Sequence, residues 1–179
     1  MAFGLIINVL YAPINNRMIQ ELGNKSVIFL TTMGIVNLVF FSYSLRHSSK
    51  EFTPTKSLIW EIMLAAIAVI YYFLPIDFKP EDFSPIWHLE MVVFCLLLTQ
   101  TLFFIAMGLG LITIPNMKNQ LIRKRFWMFL LGLIMFEMVI ISTVLRNGQF
   151  ATGIVLLVLG LCMIPGGILV YFGVGKEIN

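Results

Sequence analysis

Charge is scarce in this chain. Only 12% of its 179 residues are Asp, Glu, Lys or Arg, where a soluble domain averages about 25%. Cysteine and histidine are also rare, at two each, and every scarcity removes a class of chemistry. Cys95 and Cys162 both sit in apolar stretches, where a free thiol behaves as a small hydrophobe. They form neither a CxxC redox pair nor a disulfide framework. His47 and His88 lie between apolar stretches, so a bis-histidine haem inside a helical bundle has no ligands. No lysine falls within the apolar runs as delimited below, so a retinal-type Schiff base has no amine. GxSxG, HExxH and Walker loops are absent. No enzyme activity, cofactor or metal centre is expected. The opening "MAFGLIINVLYAP" has neither a basic n-region nor a small-residue cleavage pattern, and it is not read as a cleavable signal.

What is abundant is apolar sequence. Hydrophobic residues make up 59% of the chain and the mean hydropathy is +0.94. A bilayer core is crossed by roughly 20 apolar residues in a helix, and five runs reach that length: 26–45, 57–74, 91–114, 126–145 and 151–174. All are expected to be helices, because a lone strand or loop in lipid leaves its backbone groups unpaired. The fold class is therefore an all-α polytopic integral membrane protein, a single membrane domain over 1–179. Its lipid bilayer is expected to be a plasma or bacterial inner membrane.

The first 25 residues fit this scheme less well. Residues 2–11 are too short to span. From Pro13, the residues Ile14, Met18 and Leu22 recur at i, i+4 and i+8, and Arg17–Glu21 is an i,i+4 pair on another face. This pattern predicts an amphipathic helix lying in the interface or half-inserted, with a sixth span as the alternative.

Net charge is +3. The basic residues lie between apolar runs, so they act as topology signals and headgroup contacts, and no nucleic acid is expected. Arg46, Lys50, Lys56, Lys118, Arg123, Lys124, Arg125 and Lys176 fall on one side, and Arg17, Lys25, Lys79 and Arg146 on the other. This asymmetry predicts the N-terminus out, the C-terminus in, and a cytoplasmic loop holding Lys118, Arg123, Lys124 and Arg125. Such a loop suits a cytoplasmic partner or anionic lipid. "PIDFKPEDFSPIWHLE" (75–90) then faces outward, and its three prolines favour an extended segment. Asp77, Glu81, Asp82, His88 and Glu90 are of the right type for a hard cation. Their spacing matches no metal motif, and a solvated acidic loop is the preferred reading. Trp60, Trp87 and Trp127 stand at span ends, as interfacial anchors do.

Polar residues inside the runs are the candidates for function. Glu137 interrupts "LLGLIMFEMVIISTVL". At about 1.5 Å per residue, Asn37, Gln100 and Glu137 reach similar depths, roughly 12 to 16 Å from the outer ends of their spans. They form an expected intramembrane polar cluster. A carboxylate there without a cation tends to hold its proton, and it is either interhelical glue or a protonatable site on a transport path. Glu61 is a second ionisable candidate, near enough to a span end to snorkel. Gly153, Gly160 and Gly167 recur every seven residues and suggest one close-packing helix face, with Pro165–Gly166–Gly167 interrupting that helix. The function expected is a non-enzymatic multi-pass subunit, acting as a homo-oligomer or with membrane-complex partners. A small transporter or channel using Glu137 is the alternative.

Overall fold

Residues 16–46, 54–79, 84–150 and 153–175 are described by the structure, a computed structural model. Among these residues, five helical stretches are long and apolar enough to cross a membrane: Arg17–Ser44, Thr55–Tyr72, Leu89–Asn116, Gln120–Asn147 and Leu156–Gly173. The expected all-helical architecture is present, with one short β-hairpin added.

Helix α1 runs without a break over Arg17–Arg46. Asn16 starts it: its Oδ1 accepts the backbone N–H groups of Met18 at 3.0 Å and Ile19 at 3.3 Å, satisfying donors that a helix start leaves open. Within the expected amphipathic segment, residues 17–25 are the first turns of the same helix that carries the first apolar run. Its Pro13 and Ile14 lie outside the described residues. Met18 and Leu22, read as the buried stripe, are 71% and 47% exposed, while Gln20, Asn24 and Lys25 are buried. The Arg17–Glu21 pair is also corrected. Arg17 reaches Asp77, and Glu21 takes Lys25 one turn later.

Pro54 opens α2 (Pro54–Ala68), where its missing N–H costs nothing. A 3₁₀ turn, Val69–Tyr72, carries the chain to Pro75, which cannot continue a helix. Strands β1 (Ile76–Phe78) and β2 (Pro85–Trp87) then pair antiparallel, with Ile76 opposite Trp87 and Phe78 opposite Pro85. The segment is extended, as its prolines suggest, and it is also paired on itself. Helix α3 (Leu89–Thr113) ends in a 3₁₀ turn at Ile114–Asn116. Asn119 caps α4 (Gln120–Asn147), accepting from the N–H groups of Leu121 and Ile122 at 2.8 and 3.3 Å.

The last apolar run is two helices, α5 (Ile154–Leu161) and α6 (Met163–Val170), followed by a π turn over Tyr171–Gly175. The break falls at Cys162, before the expected proline. It leaves Pro165 in the first turn of α6, where the absent donor is tolerated.

The chain divides into two compact units, 1–106 and 107–179, with the boundary inside α3. In the first, α1 and α2 pack together around a core that includes Ile28, Ile35, Val36, Tyr71 and Met91. The ring of Tyr71 meets Phe94 edge-on, with centroids 5.1 Å apart. In the second, α4 packs on α5 and α6. That packing depends on glycines other than those expected. A Cβ on Gly132 would lie 2.8 Å from the Gly166 carbonyl oxygen, and one on Gly173 would lie 2.7 Å from the Phe129 backbone nitrogen. Gly160 and Gly167 have no atom within 4 Å of a Cβ, and Gly153 stands before the helix in a turn with φ +71°. The helix break between Gly160 and Gly167 disrupts the seven-residue phase, so the three do not form one close-packed face within the chain.

Candidate functional site

Among the described residues, a dense polar assembly lies at one end of the first unit, where the start of α1 meets the 3₁₀ turn and the hairpin. Its origin is a helical repeat: Gln20, Asn24, Ile28 and Thr32 follow one another every four residues, and all are buried. The face is polar for two turns and mixed thereafter. Every hydrogen bond described here is made inside this unit.

Lys25 is the most buried charge of this assembly, with its side chain 6% exposed. Its Nζ donates to the Glu21 carboxylate and, at 3.0 Å, to the backbone carbonyl of Tyr72. That carbonyl belongs to the last residue of the 3₁₀ turn, where helical partners run out. A lysine donating to a terminal carbonyl ties off the helix end, and the adjacent carboxylate balances the charge that burial would otherwise penalise. Ser26 and Tyr72 share a hydroxyl–hydroxyl bond of 2.9 Å. Thr32 donates to the Ile28 carbonyl of its own helix at 3.0 Å, and its hydroxyl lies within hydrogen-bond distance, 3.2 Å, of Tyr71 Oη.

The hairpin closes over this end. Trp87 is 4% exposed and its indole N–H donates to Asn24 Oδ1 at 3.1 Å. Expected as an interfacial anchor, Trp87 is instead a buried tie between hairpin and helix, whereas Trp60 and Trp127 are exposed. Asp77 on β1 accepts from Arg17 at 3.3 Å and lies 2.8 Å from His88 Nε2, so one carboxylate joins α1 to both flanks of the hairpin. These partners are largely exposed, so each pair adds little by itself. Among the described residues no three His, Cys, Asp or Glu side chains converge as a metal site would need. Glu81 and Asp82 lie outside those residues.

The polar cluster expected from depth is distributed differently. Asn37 is exposed and its amide donates to Met33 in its own helix at 2.8 Å. Gln100 is half-buried on α3. These two belong to the first unit. Glu137 belongs to the second and is 3% exposed on α4, so the trio is not a feature of either unit. Both Gln100 and Glu137 have interaction partners. Glu61 is half-buried on α2. Lys118, Arg123 and Lys124 are exposed, and Arg125 is half-buried.

Gln20, Asn24 and Lys25 were missed because the first span is read from Ser26, where continuous apolar sequence begins. Their signal is the four-residue spacing that runs on into Ile28 and Thr32. No known family, characterised protein or solved structure matches this chain.

Proposed function

We propose that the protein is a multi-pass membrane subunit without catalysis of its own, acting as a homo-oligomer or inside a larger membrane complex. The observation that supports this is the state of the last span. Only 12% of Leu156–Gly173 is buried, and Gly160 and Gly167 are open where a helix from another molecule could approach. The polar assembly of the first unit fits the same reading. Its groups are occupied with one another, which suits a fastening that holds two helices and a hairpin together.

In this reading the N-terminus is outside, the C-terminus inside, and the hairpin external. A cysteine introduced at Lys79, in a Cys95→Ala/Cys162→Ala background, is then labelled in intact cells, and one at Asn119 only after permeabilisation. The reverse pattern overturns the orientation. For association, Gly160→Leu lowers the mass of the native particle in mild detergent, and an unchanged oligomer rules out the glycine face as its contact.

A second reading, a small transporter or channel, is favoured by the burial of Glu137 in the middle of an apolar helix. An ionisable group inside a membrane is often part of a conduction or proton path. Loss of an assayable flux in Glu137→Gln, with folding intact, would select it over the subunit reading.

A further inference from the structure

The chain contains no carboxylate between Glu90 and Glu137. Within that stretch, cations flank the start of α4, with Lys118 just before the Asn119 cap and Arg123 and Lys124 as the fourth and fifth helical residues. Lys118, Arg123 and Lys124 are exposed, and among the described residues none of them joins an ion pair. Positive charge in the first turn of a helix opposes the macrodipole, whose positive end is there. Arg123 stands at the end of that turn, so an anion placed there meets both its charge and the helix dipole.

The same helix face has apolar residues beneath the cations. Arg123 and Lys124 lie four and three residues before Trp127, and Leu131 follows Trp127 by four, so the four side chains form one stripe. Trp127 is 44% exposed and Leu131 47%. From Arg123 to Leu131 the stripe descends about 12 Å. Guanidinium and ammonium come first, then an indole, then an aliphatic side chain. A phospholipid presents its groups in the same order: phosphate, glycerol–ester region, acyl chain. Tryptophan favours the middle of these layers. A free phosphate or an acidic peptide would use the cations and leave Trp127 and Leu131 without a role.

We infer that the stripe Arg123–Lys124–Trp127–Leu131, with Lys118 beside it, seats an anionic phospholipid, its phosphate on the cations and its chain along Trp127 and Leu131. This inference rests on the membrane-spanning reading and adds a lipid selectivity that the reading alone does not contain.

The test uses the full chain in phosphatidylcholine vesicles carrying dibrominated phosphatidylglycerol or dibrominated phosphatidylcholine, whose bromines quench nearby tryptophan. The Trp127 signal is the difference between wild type and Trp127→Phe. Brominated phosphatidylglycerol is expected to half-quench Trp127 at a roughly fivefold lower mole fraction than brominated phosphatidylcholine, the preference that one engaged cation supplies. Lys118→Gln/Arg123→Gln/Lys124→Gln removes the preference. High salt weakens it in the unaltered protein, which gives a result independent of that variant's folding. Inorganic phosphate weakens it no more than chloride at equal ionic strength. Equal quenching by the two lipids overturns the inference while leaving the membrane reading in place. A preference that survives the triple substitution, or that inorganic phosphate specifically abolishes, overturns it as well. Absence of quenching of Trp60 and Trp127 by either lipid sinks the membrane-spanning reading itself.

Discussion

The indole N–H of Trp87 donates to the side-chain carbonyl of Asn24 across 3.1 Å, joining β2 to the second turn of α1. Both residues are buried, at 4% and 8% exposure. Breaking such a bond from one side leaves a polar group without water, which costs about 1–3 kcal/mol. Trp87→Phe is expected to lower the melting temperature in detergent, and Asn24→Leu added to it restores part of the loss by removing the orphaned amide. Additive losses in the double variant would mean that the two side chains are not coupled.

Lys25 and Glu21 form an asymmetric pair, since the lysine is buried and the carboxylate retains solvent contact. Glu21→Gln strands a charge in the interior, while Lys25→Met removes it. The first is expected to destabilise by about 1–3 kcal/mol, below the range of fully buried pairs because water still reaches the site. Lys25→Met loses the tie to the Tyr72 carbonyl and gains apolar packing, so it should cost less. Thermal unfolding of both variants decides, and a costlier Lys25→Met would mean that the bond to the Tyr72 carbonyl matters more than the ion pair.

Gly132 faces backbone: an added Cβ would lie 2.8 Å from the Gly166 carbonyl and 2.9 Å from the Val170 nitrogen. Neither can move without parting the helices, so Gly132→Ala is expected to destabilise by about 1–3 kcal/mol, as overpacking does. Gly167→Ala meets nothing, and it should be neutral or stabilise by up to about 1 kcal/mol through helix propensity. Equal effects at the two positions, measured by unfolding in detergent, would contradict this packing.

Glu137 is buried and has a partner. Glu137→Gln keeps the size and a donor–acceptor amide, whereas Glu137→Leu leaves that partner unpaired. The expected order of thermal stability is wild type close to Gln, with Leu lower by about 1–3 kcal/mol. If both variants match wild type, the carboxylate is not a packing element of α4.

The sequence alone determined the number and helical character of the apolar runs, though not where the first helix starts or that the last is broken. Run length and hydropathy are local quantities, and a bilayer's thickness is the only external constant they need. It also determined the stop at Pro75, which acts through its fixed φ and missing donor, whatever lies nearby. The tertiary structure decided which polar groups meet. The α1 repeat of Gln20, Asn24, Ile28 and Thr32 marks a face, yet nothing local assigns Trp87 to Asn24 or the Tyr72 carbonyl to Lys25, which lie 63 and 47 residues apart. The glycines show the same division. A seven-residue repeat singles out Gly153, Gly160 and Gly167, but the break at Cys162 turns Gly166 and Gly173 toward α4. Which glycine is close-packed depends on where a helix bends and what stands opposite, and both are properties of the packed chain.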